Sequence, residues 1–145
     1  MQEYKKNGAK LDLGNLDEVI DNILNKVTID DTHDIPYLAG YSDDGKTIYI
    51  DRHYDQSKYG IKYLVFHEYI EKHLIEDLGY DNAHRIATAA EMELVEYDGV
   101  KWNVYEGYME KFIKTAESEQ LTNIPEDLDL TPYSGKLLRS IMNAQ

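Results

Sequence analysis

The stretch His67-Glu68-Tyr69-Ile70-Glu71 lies in the middle of an apolar run, Ile61 to Leu78, whose length and composition predict one long helix. Side chains four residues apart lie on the same face of a helix, so His67 and Glu71 project side by side. Glu68 is rotated by about 100° from His67 and points toward the same side. The central helix therefore concentrates a histidine and two carboxylates on one surface.

The face that carries His67 and Glu71 is otherwise apolar, because Leu64, Leu74 and Leu78 lie along the same stripe. An apolar stripe predicts burial, and a buried histidine and carboxylate each need a partner for their polar atoms. A metal ion is one such partner. The alternatives are a buried, hydrogen-bonded His–Glu pair and a groove that is open to water.

The next helix is predicted over residues 81–98 and carries two further candidate ligands, His84 and Glu91, seven residues apart on one face. Gly79 ends the central helix, so the two helices should form an antiparallel hairpin. At about 1.5 Å per residue, Glu91 lies roughly 15–18 Å from the turn, level with the motif. His84 lies closer to the turn, but imidazole suits zinc. Both stay open as the third ligand, with the other supporting the site.

Composition and charge narrow the class of protein that the chain can be. Its 145 residues suffice for one domain with a sizeable core, and its formal net charge is −13. That charge argues against nucleic-acid binding and against attraction to anionic membranes, since both need clustered lysine and arginine. There is no cysteine, so a metal would need His, Asp or Glu ligands. Met1 to Leu13 lacks the apolar core of a signal peptide, so a soluble cytoplasmic protein is expected.

Before the central helix, the pattern predicts a flexible polar arm over residues 1–14 and an amphipathic support helix over about 15–27. Residues 28–36 are predicted to form a polar, solvated link. This link contains a histidine among three aspartates, which could bind a metal only if the loop fixed their geometry. Those residues are Asp30, Asp31, His33 and Asp34.

A strand hairpin is predicted between the support helix and the central helix. Its strands span 37–42 and 46–51, and Asp44-Gly45 forms the turn. An edge strand of this hairpin could hold an extended peptide by adding it to the sheet. The polar residues 51–54 are expected to cover the strand end rather than to join the site.

The second half of the chain is predicted to be mainly helical. An aromatic stripe indicates an amphipathic helix over about 101–116, with the aromatic rings in the core. Residues 117–145 read as a C-terminal extension, with 125–130 along the surface and a last short helix near 137–142.

These elements predict an α+β fold that is mostly helical, with a small β-hairpin beside the motif helix and its antiparallel partner helix. A single domain is expected over residues 15–145, with its core in 15–116.

The order of elements over residues 15–98 resembles the minimal core of the zincin metallopeptidases, and the central motif resembles their H-E-x-x-H. In the gluzincin branch a glutamate on the following helix completes the metal site. The resemblance implies that His67, Glu71 and Glu91 bind the metal and that Glu68 is the general base. Position 71 departs from the family because it is Glu rather than His. One His with two carboxylates is a harder ligand set, so Zn²⁺ could give way to Mn²⁺ or Fe²⁺.

The chain is also similar to small phage and prophage proteins that follow H-E-x-x-E with an A-H-x-x-A-x-x-x-E helix, here Ala83 to Glu91. That resemblance names no activity.

The zincin resemblance implies a metal-dependent peptidase or hydrolase with a protein or peptide substrate, in which Glu68 activates a metal-bound water that attacks the peptide bond. Two other classes stay open. One is a di-metal carboxylate protein that uses the same residues across facing helices. The other is a non-catalytic structural or interaction protein that keeps a zincin-like scaffold. The sequence predicts no oligomeric state.

Overall fold

The structure, a computed structural model, describes residues 3–6, 9–12, 15–118 and 121–133. Within these residues four helices pack around a small three-stranded sheet, which confirms the predicted α+β class. The helices are α1 (Leu16–Lys26), α2 (Lys62–Leu78), α3 (Tyr80–Tyr97) and α4 (Trp102–Ser118). All four correspond to predicted helices, and their bounds differ from the prediction by at most two residues.

Two short strands pair near the start of the chain. They are β1 (Glu3–Lys6) and β2 (Ala9–Asp12), which run antiparallel with Glu3 opposite Asp12. The pairing differs from the loose arm expected over 1–14. The residues of both strands are mostly polar, so their pattern alone carries no strand signal. The dipeptide between them in the sequence, Asn7-Gly8, is a strong hairpin signal in its own right.

The central sheet contains β3 (Thr28–Asp30), β4 (Ala39–Tyr41) and β5 (Thr47–Ile50). Its strand order is β3-β5-β4, with β4 antiparallel to β5 and β3 parallel to it. The predicted hairpin is thus confirmed, and its turn uses a positive φ of 74° at Gly45. The first strand is shorter than predicted because Pro36–Leu38 forms a 3₁₀ turn.

The prediction of a polar link over residues 28–36 is wrong at its start, where β3 adds a parallel strand to the sheet. Thr28 and Ile29 are β-branched, a shape that suits the pleated surface of a strand. Ile29 lies opposite Ile48 of β5, which follows the hairpin turn in the chain. The strand therefore forms against an apolar partner that is distant in the sequence.

Helices α2 and α3 form the antiparallel hairpin predicted around Gly79, which has φ 79° and donates its N–H to the Ile75 carbonyl. Small side chains at the interface (Ala83, Ala87 and Ala90) are fully or nearly fully buried, so the two backbones approach closely. Three side-chain contacts run along the hairpin: Tyr63–Asp98, His67–Glu91 and Glu71–His84. The motif residues of α2 therefore face the candidate ligands of α3.

Residues 121–133, here called the strap, pack back onto the outer edge of β4. The Asp129 N–H donates to the Tyr41 carbonyl at 2.9 Å, and the Asp43 N–H donates to the Asp127 carbonyl at 2.8 Å. The strap thus occupies part of the strand edge at which an extended peptide was predicted to bind. The prediction that 125–130 lie along the surface is wrong at Leu128 and Asp129, which are 3% and 7% exposed.

The strap is buried because it completes a second, small hydrophobic core. Its apolar side chains cover the far side of the sheet, where the predicted link and β5 contribute the partners. The members of this core are Ile35, Tyr49, Leu121, Ile124, Leu128 and Tyr133. The last helix expected near 137–142 lies outside the described residues.

The larger core joins α1, the central sheet, α2, α3 and α4. Its members include Leu16 and Ile20 of α1, Ile48 and Ile50 of β5, Val65 and Phe66 of α2, Leu94 of α3 and Tyr105 of α4. None of the helices in the described ranges has both the length and the apolarity that crossing a bilayer requires.

Candidate metal centre

His67 is held by the helix that follows it. Its Nδ1 lies 2.9 Å from Glu91 Oε1, and the other oxygen of Glu91 accepts the Tyr105 hydroxyl at 2.6 Å. A carboxylate can only accept hydrogen bonds, so Nδ1 carries the proton in this contact. The Nε2 atom therefore faces the remaining members of the group, and both oxygens of Glu91 are already used.

Glu71 joins the two histidines. Its Oε1 lies 3.4 Å from His67 Nε2 and 2.9 Å from His84 Nδ1, and its Oε2 accepts the Tyr41 hydroxyl at 2.8 Å. His67, Glu71 and His84, here called the central cluster, offer three ligand atoms that all lie within 4.8 Å of one another. Each comes from a regular helix whose position is fixed by the α2–α3 hairpin.

The donor set of the central cluster fits a zinc-type ion. Ligand atoms about 2.0–2.1 Å from a tetrahedral ion are roughly 3.3–3.4 Å apart, which matches the 3.4 Å between Glu71 Oε1 and His67 Nε2. The 2.9 Å between Glu71 Oε1 and His84 Nδ1 is shorter and would have to lengthen around an ion. Two imidazoles and one carboxylate form a ligand set that catalytic zinc sites use, with a fourth position left open. The structure thus groups two histidines with one carboxylate, whereas the sequence pattern and the family resemblance favour one histidine with two.

The sequence left His84 and Glu91 open as the third ligand, and the structure separates them. Glu91 is twelve residues after Gly79 and His67 is twelve before it, so the two lie level. His84 is about 4.5 Å lower than Glu71 along the hairpin, a difference that side chains of this length can span. Position along the helix axis alone favours Glu91 as the third ligand. The lengths of the side chains instead bring His84 into the cluster, and Glu91 lies behind His67.

The cluster is strongly polarised. Burial raises the pKa of Glu71, but hydrogen bonds from His67 and His84 outweigh burial and lower it to about 2. Burial lowers the pKa of His67, but hydrogen bonds to Glu71 and Glu91 and the nearby negative charges raise it well above its usual value. Both shifts favour a positive charge on His67 between two carboxylates.

Glu68 stands apart from this network although it is 8% exposed. It makes no side-chain hydrogen bond to any described residue, and its Oε2 lies 3.9 Å from His67 Nε2. Burial raises the pKa of Glu68 to about 8, against the lowering effect of the positive charge on His67. The Glu68 side chain keeps 11% of its surface exposed and lines the cleft described next. A carboxylate that faces a cleft without a donor from the protein is available to water or to a ligand.

A cleft of about 240 Å³ opens onto the central cluster and Glu68. Helices α2 and α3 line it at the cluster, α4 forms one wall, and residues 37–39 form another. Tyr133 of the strap also lines it, and its hydroxyl has no hydrogen-bond partner in the described part of the chain. Tyr37 and Leu38 have positive φ angles of 58° and 90°, a strained backbone of the kind that collects at functional sites.

A second cluster lies at the strand ends and contains Asp34, Asp51 and His53. The prediction that residues 28–36 are solvated is wrong at Asp34, which is fully buried. It accepts Arg52 Nε at 2.6 Å and the N–H groups of two strap residues, Thr122 and Asn123. These donors use both carboxylate oxygens of Asp34. The cluster therefore covers the strand ends, the role that was expected of residues 51–54.

Three tyrosines of the site carry no signal in the sequence. Tyr105 and Tyr133 line the cleft from α4 and the strap, and the buried Tyr41 of β4 donates to Glu71. Only the fold brings these three elements together. With thirteen tyrosines in the chain, no spacing singles these out. The remaining histidine of α2, His73, is exposed on the other side of the helix, as its six-residue separation from His67 predicts.

No family model matches the chain, and comparisons with curated proteins and with solved structures gave no match. The resemblances to zincins and to small phage proteins therefore stay predictions from the sequence.

Proposed function

We propose that this chain is a metal-dependent hydrolase of the peptidase type that binds one divalent ion through His67, Glu71 and His84. The observation that carries the proposal is the convergence of three ligand atoms beside Glu68 at the head of a cleft, where Glu68 receives no hydrogen bond from any described residue. A protein or peptide substrate and a cytoplasmic location belong to the same proposal. Zn²⁺ is the preferred ion, since two imidazoles and one carboxylate suit zinc better than a carboxylate-rich set.

The residues around the central cluster would orient its ligands. Glu91 fixes the ring of His67 through Nδ1, and Tyr105 fixes Glu91 in turn. Tyr41 holds the second oxygen of Glu71. Such hydrogen-bonded supports determine which ring nitrogen is free to bind and strengthen it as a donor. When bound, the ion would lower the pKa of a water molecule and polarise a carbonyl group.

Glu68 is the proposed general base. Its carboxylate would accept a proton from the attacking water and deliver that proton to the nitrogen of the leaving amine. A base needs a pKa near the working pH, and burial raises the pKa of Glu68 to about 8. The charge of a divalent ion nearby would lower that pKa again and favour the ionised form.

Tyr133 is the proposed donor to the substrate carbonyl, since the residue lines the cleft and its hydroxyl has no partner among the described residues. The hydroxyl is buried against Gly40, so the proposal requires the Tyr133 side chain to turn toward the substrate. The variant Tyr133→Phe keeps the ring and its packing but removes this donor. We expect kcat to fall about tenfold while the metal content stays that of the wild type, as for the loss of one hydrogen bond made in the transition state. An unchanged kcat would assign Tyr133 to packing alone.

One observation favours a second candidate, a non-catalytic protein that holds no metal. The hydrogen bonds of His67, Glu71, His84 and Glu91 form a connected network, so a protonated His67 can stabilise the group unaided. This alternative leaves Glu68 unexplained, because its carboxylate is buried and receives no donor from the network.

Metal analysis of protein purified without chelator separates the candidates. We expect about one zinc per chain for the wild type and for Glu68→Gln, and almost none for His67→Ala combined with Glu71→Ala. His73→Ala is the matched control, since it removes an exposed histidine from the same helix and should retain the metal. Two ions per chain would favour a di-metal carboxylate site. No bound metal, with no uptake when Zn²⁺, Mn²⁺ or Fe²⁺ is added, would leave the metal-free alternative.

The same proteins then report on catalysis. If the wild type cleaves a mixture of unfolded protein substrates, Glu68→Gln should lower kcat by about 10²–10⁴ with its metal content unchanged. Equal activity of the two proteins would rule out Glu68 as the base.

A further inference from the structure

Helix α4 contributes a wall to the cleft that plays no part in binding the proposed ion. Trp102, Glu106 and Glu110 follow one another at four-residue spacing, and all three line the cleft. The two glutamates are exposed at its rim. Neither has an ion pair or a hydrogen bond with any residue of the described ranges. The rim therefore presents two unpaired negative charges beside an aromatic ring.

The rest of the α4 wall is apolar. Met109 and Ile113 line the cleft from the same helix, and Leu64 does so from α2. The described residues of the lining include no lysine or arginine that could neutralise the rim. A bound divalent ion would balance only part of the charge on the inner carboxylates, so no positive charge within the lining would neutralise Glu106 and Glu110. Lys111 and Lys114 of α4 are not part of that lining.

Buried polar groups in the same cleft also lack partners. Glu68 is 8% exposed and accepts no hydrogen bond from a described residue, and the Tyr133 hydroxyl is an unsatisfied buried atom. Buried polar atoms are almost always satisfied in folded proteins, so unsatisfied ones that line a cleft point to a ligand that completes them. The cleft thus combines unused inner polar groups, an apolar wall and an acidic rim.

We propose that the α4 wall is a specificity subsite for a cationic side chain, so that the substrate carries lysine or arginine next to the bond that is cleaved. A long aliphatic stem matches Met109 and Ile113, and its charged head would reach the carboxylates of Glu106 and Glu110. Trp102 would add a cation–π contact to the same head group. This inference rests on the proposed function, because the ion fixes where the reacting carbonyl lies.

Hydroxamates test the subsite without requiring turnover, because they chelate a zinc ion that has an open position. The probes are Nα-acetyl hydroxamates of lysine, norleucine and glutamate, which share a backbone and differ in side-chain charge. Their Kd values are measured by calorimetry on the zinc-loaded full chain, for the wild type and for Glu106→Gln combined with Glu110→Gln. The control combines Glu76→Gln with Glu96→Gln, two exposed residues outside the cleft that change the net charge equally.

We expect the wild type and the control to bind the lysine probe about fivefold more tightly than the norleucine probe, and the glutamate probe more weakly than both. In Glu106→Gln/Glu110→Gln the lysine preference should fall below about twofold, with the affinity for norleucine unchanged. Equal binding of all three probes by the wild type, or loss of the preference in the control as well, would overturn the subsite and leave the proposed function intact. No binding of any probe to zinc-treated protein would overturn the proposed function and the subsite with it.

Discussion

Two parts of this molecule gather histidine and carboxylates at similar density, and they use them in opposite ways. The strand-end cluster and the central cluster each bring three potential ligand atoms within 4.8 Å of one another. In the strand-end cluster the carboxylate oxygens are used by backbone donors: Asp51 accepts the N–H groups of Ile35 and His53, and Asp34 accepts two from the strap. That cluster fastens chain segments together.

The central cluster uses its oxygens on side chains instead. Tyr41 donates to Glu71, and Tyr105 donates to Glu91, which supports the cluster from behind His67. The described backbone contributes no donor to either carboxylate. One side of the cluster opens onto the cleft, where Glu68 has no hydrogen-bond donor among the described residues. The ligand types are equally close in both clusters, so proximity alone does not identify a metal site. The two clusters differ in which groups use the carboxylate lone pairs and in whether a cleft opens onto them.

Loss of the Asp34 carboxylate from the strand-end cluster should destabilise the protein the most. Asp34→Ala should lower the free energy of unfolding by about 2–3 kcal/mol, because it leaves two strap N–H groups without their buried acceptor and the partly exposed Arg52 guanidinium without its partner. Urea denaturation of the metal-free protein measures this loss. The metal content of the folded fraction should match that of the wild type.

His84→Ala is the counterpart in the central cluster. The His84 side chain is 47% exposed, so its removal should cost less than about 1 kcal/mol of stability in the metal-free protein and yet abolish metal binding. If Asp34→Ala lost its metal while keeping its stability, the two clusters would have the reverse of the roles argued above.

Glu91 is expected to orient the proposed ligand His67 without binding the ion itself. Glu91→Gln keeps the shape of the side chain but removes the charge that orients His67, so zinc affinity should fall by about 10–100-fold. Competition against a chromophoric zinc chelator measures the change. Tyr105→Phe, which loosens Glu91 one step further from the ion, is the graded control and should weaken binding less. A loss as complete as that of His67→Ala would make Glu91 a direct ligand, as the gluzincin resemblance implies.

The sequence predicts the local parts of this fold well. Helix positions follow from apolar periodicity, and the α2–α3 hairpin follows from Gly79 alone. It fails where a segment depends on a distant partner. Strand β3 is three residues long and forms against β5, and Leu128 is buried by residues that come from the sheet and from the link before it. A polar segment reads as solvated until the surface that covers it is known.

The same division applies to the candidate site. His67 and Glu71 are recognisable because they are four residues apart on one helix, and α3 offers both further residues by its own periodicity. The roles of His84 and Glu91 depend on a few ångströms of side-chain reach, which residue counting does not resolve. Tyr41 is thirty residues from the carboxylate to which it donates. A contact of that separation leaves no pattern in a single sequence.

The ion pair between Lys72 of α2 and Asp129 of the strap connects the two regions, and its loss should have only a small effect on stability. Lys72 follows the proposed ligand Glu71 in the chain, and its Nζ lies 2.8 Å from Asp129 Oδ2. Burial raises the pKa of Asp129, but hydrogen bonds from Lys72 and Thr131 outweigh burial and hold the pKa below its usual 3.8. The ionised form is therefore favoured in the folded protein.

A depressed pKa contributes stability that is fully present above the unfolded value and is lost as the pH falls through the folded value. Urea unfolding of metal-free protein at about pH 5 and about pH 3 should therefore show a loss in the wild type that is larger, by up to about 1 kcal/mol, than the loss in Asp129→Asn. Taking the difference between the two proteins removes the contribution of the other carboxylates that titrate in this range. Equal losses would mean that the hydrogen bonds of the strap backbone to β4 fasten it without help from the ion pair.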